Sequence, residues 1–206
     1  YCHIEQGNLG YSGFGSQLYV YNPGAAPLAA GKPTITSITQ NANGSYHLVG
    51  TGLNGISEGA SYGDDAQMNG NYPLVRLTDN AGHVYYGRTY NWSSTGVATG
   101  TRPVSTEFTV PVTGGGSYSL VVVANGIASD PITFYGPVWV DFNYSGPQNG
   151  SFAAPFETLA AGVSAVARGG TISINATTQP STSAETMTIS KPMTITSFHG
   201  PSTIGH

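Results

Sequence analysis

Charge is what this sequence has least of. Asp, Glu, Lys and Arg together make up 8% of 206 residues, against about 25% in an average soluble domain. Solvation therefore falls to hydroxyls and amides, which suits an all-β surface protein better than a cytosolic helical enzyme. Lys and Arg number six and the net charge is −4. No basic run exists, so nucleic acid is excluded as a partner that would need phosphate neutralisation. A polybasic membrane anchor is excluded for the same reason. No apolar run approaches the ~18 residues of a membrane span, so no membrane insertion is expected. The one cysteine, Cys2, rules out an intrachain disulfide and a cysteine-based metal site. No signal peptide is visible. The chain opens on Tyr1-Cys2, and this start is read as a processed or cut end. The composition points to a secreted protein at an extracellular surface.

What the sequence does hold is short strands and turns. Hydrophobic residues are 39% and glycines 29, enough for a core spread over many strands. Residues 1–32 read as N-terminal strands and a linker. Leu18-Tyr19-Val20-Tyr21 forms one strand, residues 1–4 another, and two strands alone cannot bury a core. Residues 33–136 carry seven strand candidates, at 33–39, 45–51, 73–78, 83–90, 105–112, 117–124 and 131–134. Ile35/Ile38, Leu74/Arg76 and Phe108/Val110/Val112 set their faces. Asn43-Gly44, Asp79-Asn80-Ala81-Gly82, Gly114-Gly115-Gly116 and Asn125-Gly126 are turn signals between them. Leu120–Val123 is a continuous apolar run, as expected of a central strand buried on both faces. Seven short strands in about 100 residues predict an Ig-like antiparallel β-sandwich.

Residues 137–206 change character. A helix is expected over 156–168, with Phe156, Leu159, Val163 and Val166 on one face. Pro155 stands at its start, and Gly169-Gly170 at its end. Short alternating strands follow around Ile172/Ile174, Met187/Ile189, Met193/Ile195 and Ile204. This pattern predicts a short parallel β-helix-like module capped by one helix, which covers otherwise unpaired strand edges. A small α+β sandwich is the alternative. The fold class expected is all-β throughout.

Three stretches carry a resemblance. They are Lys32-Pro33-Thr34-Ile35, Gly63-Asp64-Asp65-Ala66-Gln67 with Tyr72-Pro73-Leu74-Val75-Arg76-Leu77, and Leu120-Val121-Val122-Val123-Ala124-Asn125-Gly126. Through them residues 33–134 resemble the C-terminal Ig-like (E-set) domain that follows the kelch propeller in galactose-oxidase-like secreted proteins. Residues 17–23 then look like the last propeller strand. Residues 139–205 are similar to a short right-handed parallel β-helix module, with Pro-Phe-x-Thr-Leu and Lys-Pro-Met-Thr-Ile. The resemblance implies a copper-ligating histidine after an Arg-bearing strand. The counterpart is Arg88-Thr89-Tyr90-Asn91-Trp92, where Tyr90 stands in its place. What the resemblance implies is therefore a relative without the oxidase copper site.

The candidate chemistry gathers between positions 58 and 92. Glu58, Asp64 and Asp65 share one Gly/Ser/Asn-rich loop of the kind that supplies oxygen ligands to a hard cation, so Ca²⁺ is the candidate cofactor. The alternative is that the aspartates shape the loop through Asx hydrogen bonds. Glu58 with Asp64 is also the sole nearby acid pair in a plausible cleft loop, the arrangement glycoside hydrolysis requires. The five histidines show no metal-ligand spacing, and no GxSxG elbow occurs. Tyr62, Tyr72, Tyr86, Tyr90 and Trp92 cluster with Asn91, and aromatic faces flanked by amides are where sugar rings stack. The competing reading places about half of these rings in the core. Tyr85 and Tyr86 are adjacent, so one of them must face outward. Five Asn-x-Ser/Thr sequons, at Asn43, Asn91, Asn143, Asn149 and Asn175, matter where a host glycosylates secreted proteins.

The function expected is a non-catalytic extracellular structural or interaction module. Its partners are other copies of itself, met through exposed strand edges, or a larger kelch-type protein. A carbohydrate-binding module, with polysaccharide as the partner, is the second expectation. A galactose-oxidase-like enzyme fragment lacking its copper site is the third.

Overall fold

In a computed structural model the described residues are 2–3, 19–20, 28–56, 72–110 and 115–205, the first two pairs by backbone alone. β1 (Cys2–His3) and β2 (Tyr19–Val20) pair antiparallel. A 3-10 turn at Ala29–Gly31 leads into β3 (Thr34–Gln40), β4 (Tyr46–Thr51), β5 (Leu74–Asp79), β6 (Val84–Tyr90), β7 (Val104–Thr109), β8 (Ser117–Ala124), β9 (Ile127–Ala128) and β10 (Ile132–Tyr135). These pair antiparallel in the order β10-β8-β5-β6-β7-β4-β3, with β9 added to β8.

Alternation explains why the sheet curls. Leu48, Val75, Leu77, Phe108, Leu120, Val122 and Phe134 all point to one side and form a common core. Phe134 of β10 meets Tyr46 of β4 at 5.0 Å and Phe108 of β7 at 6.3 Å between ring centroids. Those strands stand far apart in the pairing order, so the sheet rolls until its two ends face each other. Burial of the phenol pushes the Tyr46 pKa up. The run Leu120–Val123 lies in β8, between β5 and β10, and Leu120, Val121 and Val122 are buried. Lys32 and Asp130, 2.5 Å apart, tie the start of β3 to the start of β10.

The rest of the chain is built from parallel pairs. β11 (Val138–Val140), β12 (Thr171–Asn175) and β14 (Thr194–Phe198) run side by side, and β13 (Thr182–Ser183) pairs β15 (Thr203–Ile204). Val138, Ile172 and Ile195 fall in register, and all three belong to a second core. The helix α1 spans Leu159–Ala165, shorter than the predicted 156–168. Phe156 is drawn out of it by a parallel bridge to Val140, and Val166 is already extended. Phe156, Leu159, Val163 and Val166 nevertheless all pack on this core.

The expected strand at Met187/Ile189 does not form. The segment instead spans the helix. Glu185 accepts from the backbone N–H of Leu159 at 2.7 Å and of Ala160 at 3.0 Å. Lys191 Nζ donates to the carbonyls of Ser164 and Val166 at 3.2 and 2.6 Å. An acid at the helix N-terminus and a base at its C-terminus satisfy end groups and match the dipole. Ile189 and Ile204 both lie exposed. Of the isoleucines around which short strands are expected, Ile172 and Ile195 pack on the second core and these two do not.

Candidate functional site

The sequence-expected aromatic cluster divides by strand parity. Tyr85 turns inward, meeting Tyr118 edge-on at 6.1 Å, with its hydroxyl 3.3 Å from Asp79. Tyr86, its neighbour, turns outward and is 60% exposed. Tyr90 shares that outer face, half-buried and opposite Glu107 of β7. Asn91 follows with φ 49° and donates through Nδ2 to Glu107 Oε2 at 3.2 Å. Asn is among the residues that tolerate this left-handed conformation best.

Tyr72 and Trp92 form a pair at the end of the β5–β6 ribbon, with ring centroids 5.7 Å apart and planes 34° off parallel. They are 51% and 40% exposed. The Trp92 position is fixed from below. Its indole N–H donates to Thr89 Oγ1 at 3.2 Å, and the buried Thr89 hydroxyl donates to the Pro73 carbonyl at 2.7 Å. A large apolar ring thus stays in water because a buried threonine holds its polar edge. Such a ring is a ready stacking platform.

Tyr62 lies outside the described residues, as do Glu58, Asp64 and Asp65, the proposed Ca²⁺ ligands. Among the described residues no group of three His, Cys, Asp or Glu is placed to hold a metal ion. His83 and His199 serve local structure. His83 Nδ1 lies 2.9 Å from Asp79 Oδ2, and Asp79 Oδ1 accepts from the backbone N–H of Ala81 and His83, closing the β5–β6 turn. Burial works to raise the Asp79 pKa, but these hydrogen bonds and the charge of His83 outweigh it and hold the carboxyl below its ordinary value. His199 Nδ1 pairs with Asn175 Oδ1 at 2.9 Å.

A cleft of about 410 Å³ opens between β3 and β10, the two edges of the curled sheet. Ile35, Ile38, Tyr46, Ile132 and Phe134 line it, and Thr171 and Pro137 close one end. Gln40 also lines it; Ser173 Oγ donates to its Oε1 at 2.7 Å, while its Nε2 is buried and unpartnered.

Sequence reasoning passed over Arg76 and Arg88 as binding residues. Both share the outer face with Tyr86 and Tyr90. The alternation Tyr86-Gly87-Arg88-Thr89-Tyr90 carried the signal, since residues two apart on a strand share a face. No protein-family model, curated protein or solved structure matches the chain.

Proposed function

We propose that the chain is a non-catalytic extracellular interaction module that joins further copies of itself, or a larger kelch-type protein, through free strand edges. The carrying observation is the outer edge of β14. Thr194 N–H donates to the Gly170 carbonyl and the Phe198 carbonyl accepts from Ala176 N–H. Alternate residues 194, 196 and 198 therefore face β12, and Ile195 and Ser197 present their backbone groups to the side left unpaired among the described residues. On the opposite flank, Phe156 pairs with Val140. Growth is blocked there, so edge-to-edge contact through β14 closes into a pair instead of a fibre.

In this reading residues 33–136 are an Ig-like sandwich. The orders β3-β4-β7-β6 and β5-β8-β10 correspond to the two sheets of that architecture, and they support the E-set resemblance. Residues 137–206 are a short parallel β-helix capped by α1. In support, Thr171 pairs with Thr194 and Thr182 with Thr203, so the chain climbs one strand per circuit. Sedimentation equilibrium tests the proposal. Self-association should strengthen with concentration and be lost in Thr194→Lys/Ser197→Lys, where charge is placed at the two exposed positions of β14. A concentration-independent monomer would remove it.

A second reading is carbohydrate binding, favoured by the solvent-facing Tyr72–Trp92 pair anchored through Thr89. Affinity gel electrophoresis against neutral and acidic polysaccharides tests it. Retardation abolished by Trp92→Ala, with the β-type circular dichroism retained, is the expected result.

A further inference from the structure

The outer face of β5 and β6 carries two arginines that form no ion pair among the described residues. Val75 and Leu77 point into the core, so Arg76 between them faces out. Arg76 lies directly across from Tyr86. Arg88, two residues along β6, is its diagonal neighbour at about 7–8 Å. The ion pairs among the described residues are Lys32–Asp130 and His83–Asp79, and neither arginine takes part. Glu107, on the same face, accepts from Asn91. Two of the six cationic side chains of a chain with net charge −4 thus stand side by side with no ion pair among the described residues, and Glu107, one diagonal step from Arg88, is the acid on that face.

The second observation is an orphaned donor. Arg76 Nε is buried and has no hydrogen-bond partner. A buried N–H left unpaired costs the desolvation of that group, and a charged donor most of all. Val121 is the register partner of Arg76 on β8 and is 6% exposed, although both neighbours in its strand, Leu120 and Val122, point into the core. Arg76 is thus partly sunk on this face, and Arg88 beside it is the exposed cation of the pair.

We infer that this face binds an acidic polysaccharide, the Arg76 and Arg88 guanidiniums taking the carboxylate of a uronic acid unit while Tyr86 and Tyr90 take ring faces. The inference rests on the carbohydrate reading and adds the ligand class. Outward residues on a strand recur at roughly 7 Å. Tyr86, Arg88 and Tyr90 therefore form an aromatic–cation–aromatic row roughly 13 Å long, the scale of a few sugar units. A guanidinium fork matches a planar carboxylate. Nucleic acid is disfavoured because two cations neutralise too few phosphates.

The test is affinity electrophoresis and calorimetry on the whole chain with polygalacturonate, its methyl ester, xylan and poly-glutamate. Polygalacturonate should bind at least about tenfold more tightly than its methyl ester, a difference within reach of charge-assisted pairing. Arg88→Gln, at an exposed position, should remove that preference, as should Arg76→Gln/Arg88→Gln. Arg168→Gln, on the parallel-strand part, should leave it intact. Equal binding of the acid and its ester overturns this inference while the carbohydrate reading stands. Equal binding of poly-glutamate overturns it too, since charge alone is then being read. Binding of none of the glycans overturns both.

Discussion

Glu185 gathers more hydrogen bonds than any residue of its stretch. Its carboxylate accepts from Leu159 N–H, Ala160 N–H and the Ser183 hydroxyl. Thr158 Oγ1 takes Ala161 N–H at 3.2 Å, so the first three donors of α1 are all met. Burial would raise the Glu185 pKa, but the hydrogen bonds from Ala160, Leu159 and Ser183 outweigh it, and the net shift is downward. The folded carboxyl thus holds its charge to lower pH than the unfolded one. Its stabilisation is fully present above the unfolded value of about 4.3 and is lost as pH falls through the lower folded value. Glu185→Ala should therefore cost about 1 kcal/mol at neutral pH, as for a lost N-cap. Chemical denaturation of both proteins at several pH values checks this. The gap between them should close in acid, and because Asp79 titrates in both proteins, the difference isolates Glu185. Lys191→Met should cost less, about 0.5 kcal/mol, since a partly solvated cation at a helix C-terminus contributes little.

Seven residues do not hold a helix by themselves. What holds α1 is the two-ended clamp and its approach to β11, where Gly162 lies against Val140. A Cβ built at Gly162 would come within 2.6 Å of Val140 Cγ2, with Ile172 Cδ1 at 3.6 Å. Gly162→Ala already presses on the stiff, fully buried Val140, which offsets its gain in helix propensity. Gly162→Val adds two branches into a full space and should cost about 1–3 kcal/mol by overpacking. Thermal melts of the two variants should separate by several degrees in that order. At this scale the sequence was informative about faces and poor about ends. Phe156, Leu159, Val163 and Val166 were readable as one apolar face. That Phe156 belongs to a bridge with Val140 depends on a strand sixteen positions earlier, which no local periodicity records. Met187 and Ile189 alternate like a strand, yet Glu185 and Lys191 commit their segment to the helix ends. The aromatic surface was legible in the same partial way. Adjacency required Tyr85 or Tyr86 to face outward. Which one does follows from the register, with Gly87 opposite Val75. The orphaned Nε of Arg76 is tertiary information and left no local trace.

The antiparallel sheet and the parallel strands meet over a short junction. Only Gly136 and Pro137 separate β10 from β11, and both are buried. Gly136 N–H donates to the Gly116 carbonyl at 2.7 Å. The hydroxyl of Ser173, buried on β12, reaches Gln40 on β3. A Cβ at Gly44 would meet Phe152 at 2.8 Å, and Phe152 stands edge-on to Trp139 at 4.8 Å. Trp139 is fully buried and also touches Phe198 at 5.4 Å. A linker this short, packed on both sides, couples the two parts, because neither can open without exposing Trp139. They should therefore unfold together. Trp139 reports on this directly once the other tryptophan is removed. In Trp92→Phe, emission should begin blue and shift red at the temperature where far-ultraviolet circular dichroism loses its β signal. Phe152→Ala strips one ring from the indole and should lower that shared midpoint by a few degrees, about 1–2 kcal/mol for a half-exposed aromatic. If Trp139 becomes exposed well before the β signal falls, in the parent or in Phe152→Ala, the two parts are independent folding units and the junction carries no coupling.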